Sequence, residues 1–132
     1  MTNKNLGFTT ENIIYLNLTN KLEKNYDALK TTLLNNPDIV GVTKTSFLPM
    51  NIYGLLNGLS WDGMNNHEKT AFAFQCVEFD FLNVVDHKIV EGRFFSKEFA
   101  SDSNAVIINQ KAQRLMNYHN PIGNKIYFGD EE

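Results

Sequence analysis

The stretch from Thr19 to Pro37, "TNKLEKNYDALKTTLLNNP", constrains the fold more than any other. Leu22, Tyr26, Leu29 and Leu33 recur at spacings of four, three and four, which places them on one face of a helix with charged residues opposite. Thr19 or Asn20 can cap its start, and Asn35-Asn36-Pro37 ends it. β-rich runs flank it, "IIYLNL" (Ile13–Leu18) before and "DIVGVTKTSFLP" after. Strand, helix and strand in that order predict a β-α-β unit with a right-handed crossover. The expected packing sets the four apolar side chains on a sheet that contains Ile13–Leu18 and Ile39–Thr43.

From Met50 to Lys69 the pattern breaks down. "MNIYGLLNGLSWDGMNNHEK" mixes Gly and Asn with Ile52, Tyr53, Leu55, Leu56 and Trp61, without a period. It reads as a long loop with a short strand around Leu59–Trp61. These apolar side chains either plug the sheet or form a candidate partner contact. "TAFAFQCVEF" alternates, setting Phe72, Phe74 and Cys76 on one face. "DFLNVVD" reads as a short helix capped by Asp80, and "HKIVEGRFF" as a strand ending at Gly92. "AVII" reads as a further strand, Asn109 as the cap of the helix "QKAQRLMNY", and "NPIGNKIYFGD" as a turn into a last strand. The fold class expected is α+β: a mixed sheet with packed helices and a smaller inserted subdomain.

Chemistry is harder to find than architecture. With 132 residues, 42% of them hydrophobic, the chain can bury the core of one domain. Twelve basic against fifteen acidic residues, the lysines scattered, offer no concentrated positive face for nucleic acid. His67, His87 and His119 stand apart, at no metal-ligand spacing, so no metal is expected and each is most simply a surface or strand-end residue. Cys76 is the only cysteine; it makes no internal disulfide and reads as a small core residue. Asp62, His67 and Glu68 sit in a Gly/Asn-rich stretch better read as a turn than as a triad. "PIGNK" has one glycine and no phosphate-cradling pattern, so no cofactor is expected. Phe94 and Phe95 could form a binding patch, but adjacent strand residues face opposite ways, which makes at least one of them core. An enzyme is the weakest of the readings. No apolar run approaches the roughly 18–20 residues of a membrane helix, and "MTNKNLGFTT" lacks the apolar centre of a signal peptide. The expectation is a soluble protein, or a soluble piece of a larger one.

The order of segments resembles the MacB-like periplasmic core domain of MacB/FtsX-type ABC transporter permeases, Bacteroidetes members in particular. The pieces that carry it are "NLGFTTENIIYLNL", "LLNNPDIVGVTKTSFLP", "VEFDFLNVVDHKIVEGRFFSKEFASDSNAVIINQKAQRLM" and "NPIGNKIYF". Each is weak alone; their order and spacing across most of the chain are more specific. The resemblance implies a non-catalytic domain spanning 1–132, with an inserted part over about 50–76. It implies a place on the periplasmic side of the inner membrane, with a membrane helix before Met1. It implies as partners a cytoplasmic ATPase, a second permease copy, and a periplasmic adaptor or substrate. It makes Gly92, Arg93, Phe94, Phe95, Asn109, Pro121 and Gly123 structural, shaping a module that transmits movement. Family members continue with a further strand where this chain ends in "FGDEE". The alternative is the extracytoplasmic ligand-binding domain of a membrane sensor.

Overall fold

The computed structural model describes residues 12–48, 54–64 and 70–129. Its helices are α1 (Asn20–Lys24), α2 (Tyr26–Leu34), α3 (Phe81–Val85), a 3-10 turn over Ala100–Asn104, and α4 (Gln110–Leu115). Its strands are β1 (Leu55–Leu56), β2 (Leu59–Trp61), β3 (Phe72–Ala73) and β4 (Ile126–Phe128). The protein is therefore a mixture of short helices and two small antiparallel sheets, one pairing β1 with β3 and the other β2 with β4. The chain divides into two compact units: Met1–Thr45 with Val77–Val90, and Ser46–Cys76 with Glu91–Glu132.

In the first unit the expected single helix is broken in two. Asn25 sits between α1 and α2 at φ −115°, ψ 26°, and its side-chain amide donates to the Lys21 carbonyl at 2.9 Å. A short amide side chain that bonds a nearby carbonyl competes with the helix ladder, and here it interrupts it. The apolar stripe is split accordingly. Tyr26 is buried at 8% exposure and Leu29 and Leu33 are half-buried, whereas Leu22 lies at the exposed margin. Among the described residues of this unit, Phe81 and Val85 of α3 are the other buried side chains.

The expected β-α-β unit is absent among the described residues. Neither Ile13–Leu18 nor Ile39–Thr43 is a strand, and the sheets are antiparallel rather than mixed. Ile14 is 90% exposed and Val40 98%. An antiparallel bridge, outside the expected pairing, joins Thr45 to Val77, with the Glu78 amide donating to the Lys44 carbonyl at 3.2 Å beside it. Strand character is pairing as well as propensity, and these β-rich runs have no ladder partner. "HKIV" and "AVII" likewise form no strand, and Val90, Val106 and Ile107 are exposed.

The second unit carries both sheets. Leu59, Ser60 and Trp61 face Phe128, Tyr127 and Ile126, and the Gly129 amide donates to the Gly58 carbonyl at 3.3 Å to extend the pair. Leu55 and Leu56 face Ala73 and Phe72. Gly54, just before β1, is buried because the Phe47 and Phe74 rings cross edge-to-face beside it. A Cβ at Gly54 would stand 2.6 Å from Phe74 and 2.7 Å from Phe47, closer than carbon atoms pack. The strand expected over Phe72–Cys76 stops at Ala73, and Cys76 is exposed rather than a core residue.

Candidate functional site

The "EGRFFSKEFASDSN" segment closes on itself through one arginine. Arg93 donates from Nη1 to Asp102 Oδ2 at 2.5 Å and from Nη2 to Oδ1 at 2.8 Å, a two-pronged pair that fixes both planes. The Ser96 amide donates to the same carboxylate at 2.8 Å, and the guanidinium lies 4.0 Å from the centre of the Phe99 ring. The Arg93 hydrogen bonds, followed by that of Ser96, hold the Asp102 carboxyl at about 2. Gly92 opens this loop at φ 80°, a conformation open to glycine at little cost. Phe94 and Phe95 are not on a strand: both are half-buried, their ring centres 4.9 Å apart. The expectation of opposite faces fails because the backbone bends around the clamp, which lets neighbouring rings lean together.

The second motif meets the first. In "NPIGN" the Ile122 amide donates to Asn120 Oδ1 at 3.1 Å and the Asn124 amide to the Pro121 carbonyl at 3.4 Å, with Gly123 at φ 84°. This turn presents Ile122, whose side chain lies against Gly92; a Cβ there would sit 3.5 Å from Ile122 Cδ1. Between the motifs in sequence, Asn109 caps α4 as expected, its Oδ1 accepting from the Ala112 amide at 2.9 Å. Met116 after that helix is buried and Ala112 half-buried, while Leu115 is exposed.

Of the candidate partner contacts, Leu55 is 63% exposed and Leu56 half-buried. Trp61 is only 5% exposed, edge-on to Phe72 at 5.9 Å between ring centres. Its indole holds β2 onto its own unit and offers no free face, which corrects its assignment to a contact surface. Ile52, Tyr53, His67 and Glu68 lie outside the described residues. Of the 62–68 stretch read as a turn, the described part bends at its start, the Met64 amide donating to the Trp61 carbonyl at 3.0 Å.

Sequence patterns miss the densest charged group. On α2, Lys30 Nζ pairs with Glu78 Oε2 at 3.3 Å and with Asp80 Oδ2. Lys30 and Lys44 stand 5.7 and 5.1 Å from the centre of the Tyr26 ring. Burial works against charge on Asp80, but the Lys30 and Thr43 hydrogen bonds and the Lys30 charge outweigh it and hold its carboxyl below the usual range. Burial pushes the Tyr26 phenol up, and the Glu78 and Asp80 carboxylates add to that. The one legible signal was Lys30 four residues after Tyr26 on the same helical face; its partners are 48 and 50 residues away.

Among the described residues no group of three His, Cys, Asp or Glu is placed to hold a metal ion. A cleft of about 340 Å³ beside α4 is lined by Gln110, Gln113, Arg114, Asn117, Tyr118 and His119. Most of these side chains are exposed, and Gln113 and Tyr118 bond the Tyr118 and Lys125 carbonyls, so the cleft brings no nucleophile to a base. The arrangement is a set of clamps, caps and turns. No family model, curated protein or solved structure matches the chain.

Proposed function

We propose that the chain is a non-catalytic extracytoplasmic domain of a bacterial ABC transporter permease, of the MacB-like periplasmic core type. In the intact permease it stands on the periplasmic side of the inner membrane. It transmits movement driven by a cytoplasmic ATPase and meets a second permease copy, an adaptor or the exported substrate. The observation that carries this reading is the state of the β-rich runs. Ile14, Tyr15, Leu16, Val40, Val90 and Val106 are exposed on segments with no strand partner among the described residues. Apolar surface of this kind is ordinarily covered in a working protein, and a domain built into a larger assembly supplies the cover. The order of the four sequence segments supports the same family. The clamped Arg93 loop and the capped α4 suit a part that conveys force.

A test uses the full-length gene and the exposed Cys76. In intact cells with a permeabilised outer membrane, a membrane-impermeant maleimide is expected to label Cys76, and the protein is expected to copurify with an ATPase. Labelling only after the inner membrane is broken would exclude the periplasmic placement. Copurification with a kinase or regulator module in place of an ATPase would favour the sensor.

A further inference from the structure

Asparagine carries a labile amide, because the main-chain nitrogen of the next residue can attack its Cγ. The fold opposes that attack at several asparagines. Asn109 and Asn120 hold their Oδ1 atoms on the Ala112 and Ile122 amides, at 2.9 and 3.1 Å. After Asn104 and Asn117 the attacking nitrogen is itself engaged. The Ala105 amide donates to the Asp102 carbonyl at 3.3 Å, and the Tyr118 amide to the Gln113 carbonyl at 3.2 Å. Asn57, between β1 and β2, escapes these restraints. It is exposed, and among the described residues neither its side chain nor the Gly58 amide makes a hydrogen bond. It is also the one asparagine of the sequence that a glycine follows. Gly58 stands at φ 76°, and, its chain neighbours apart, no described atom lies within 4 Å of where a Cβ would be. The nitrogen therefore carries no side chain beside it to hinder its approach.

We infer that Asn57–Gly58 is a self-modifying site, at which Asn57 converts to an aspartyl or isoaspartyl residue without an enzyme. The Gly58 nitrogen forms a bond to Asn57 Cγ, the Cγ–Nδ2 bond breaks, and the proton of the Gly58 amide leaves with the nitrogen as ammonia. Water then opens the resulting succinimide ring. Attack at Cγ restores the ordinary main chain and leaves an aspartyl carboxylate. Attack at the main-chain carbonyl leaves Gly58 bonded through Cγ, which is isoaspartate. That product adds one carbon to the connection between β1, held by β3, and β2, held by β4. The strain falls at Gly58, whose carbonyl accepts from the Gly129 amide at 3.3 Å. Either product places a new carboxylate close in sequence to Leu55, the exposed apolar side chain of β1. The chemistry lies within one unit, and it stands whether or not the chain belongs to a permease.

The test is peptide mapping by mass spectrometry on the 132-residue chain, aged under native conditions in mildly alkaline buffer beside the free peptide "LLNGLS". Conversion at Asn57 is expected within about tenfold of the peptide's rate, the slowing that a local opening costing about 1.4 kcal/mol imposes. It is expected to run severalfold faster than conversion at Asn104 and Asn117 of the same chain. Isoaspartate is expected beside aspartate, read by labelling with an isoaspartyl methyltransferase, because direct hydrolysis of the side-chain amide gives aspartate alone. A native chain that keeps its Asn57 amide while the peptide converts overturns the inference. So does conversion no faster than at Asn104 and Asn117, or a product without isoaspartate.

Discussion

Asp102 illustrates how one side chain can set the behaviour of a loop. Its carboxyl is drawn from 3.8 to about 2, first by the Arg93 hydrogen bonds and then by the Ser96 amide. The folded value lies below the unfolded one, so its contribution is whole above about pH 4 and is lost as pH falls through about 2. Acid titration followed at the Ser96 amide is expected to show that loosening in the native chain. Asp102→Asn is expected to abolish the step, because no proton is then taken up at this position. Tyr26 is the corresponding residue of the first unit. Its ring is buried beneath two lysine ammonium groups, and Tyr26→Ala is expected to cost about 3 kcal/mol in urea denaturation. Leu22→Ala, at the exposed margin of the same stripe, is expected to cost less than about 1 kcal/mol. Equal losses would show that α1 and α2 bury one continuous face after all.

Among the elements, α4 and the β2–β4 pair answered their sequence signals and the long helix did not. Asn109 before an amphipathic run is a local code: the cap and the amides it serves lie within three residues, and nothing distant is needed. Asn109→Ala is expected to cost about 1 kcal/mol and to speed exchange of the Ala112 amide. Leu59–Trp61 and Ile126–Phe128 were each legible as short strands, but their mutual pairing across the chain was not. Trp61 was misassigned because an aromatic in an aperiodic stretch has the same sequence signature whether it faces a partner or its own sheet. Trp61→Ala is expected to cost about 3–5 kcal/mol, where a free contact residue would cost next to nothing. The Thr19–Pro37 helix was broken by Asn25, whose side chain found the Lys21 carbonyl. The apolar period carried no sign of that local competition.

At the scale of the whole molecule, Leu55 and Gly54 both belong to the second unit, one exposed and the other buried. Leu55, exposed on β1, remains the described apolar residue of the Met50–Trp61 stretch that is free to meet a partner. Leu55→Ser is expected to change stability by no more than about 0.5 kcal/mol and, on the function proposed above, to impair transport by the full-length protein. A large loss of stability with transport intact would make Leu55 part of the fold instead. Gly54 beside it is the opposite case. Gly54→Ala drives a methyl into the Phe47 and Phe74 rings and is expected to cost about 1–3 kcal/mol.

By itself the sequence determined what depends on near neighbours: the class of short helices with strands, the cap at Asn109, the glycine turns at Gly92 and Gly123, and the short β2 and β4. It also showed why metal and phosphate chemistry had no local motif to start from. Only the tertiary structure decided what depends on distant residues meeting. Asp80 left its capping role for Lys30, Arg93 found Asp102, and Trp61 turned inward onto Phe72. Among the described residues, the β-rich runs at Ile13–Leu18 and Ile39–Thr43 stayed without a ladder for the same physical reason. Propensity belongs to a residue, whereas a strand exists when a second segment offers its amides and carbonyls in register.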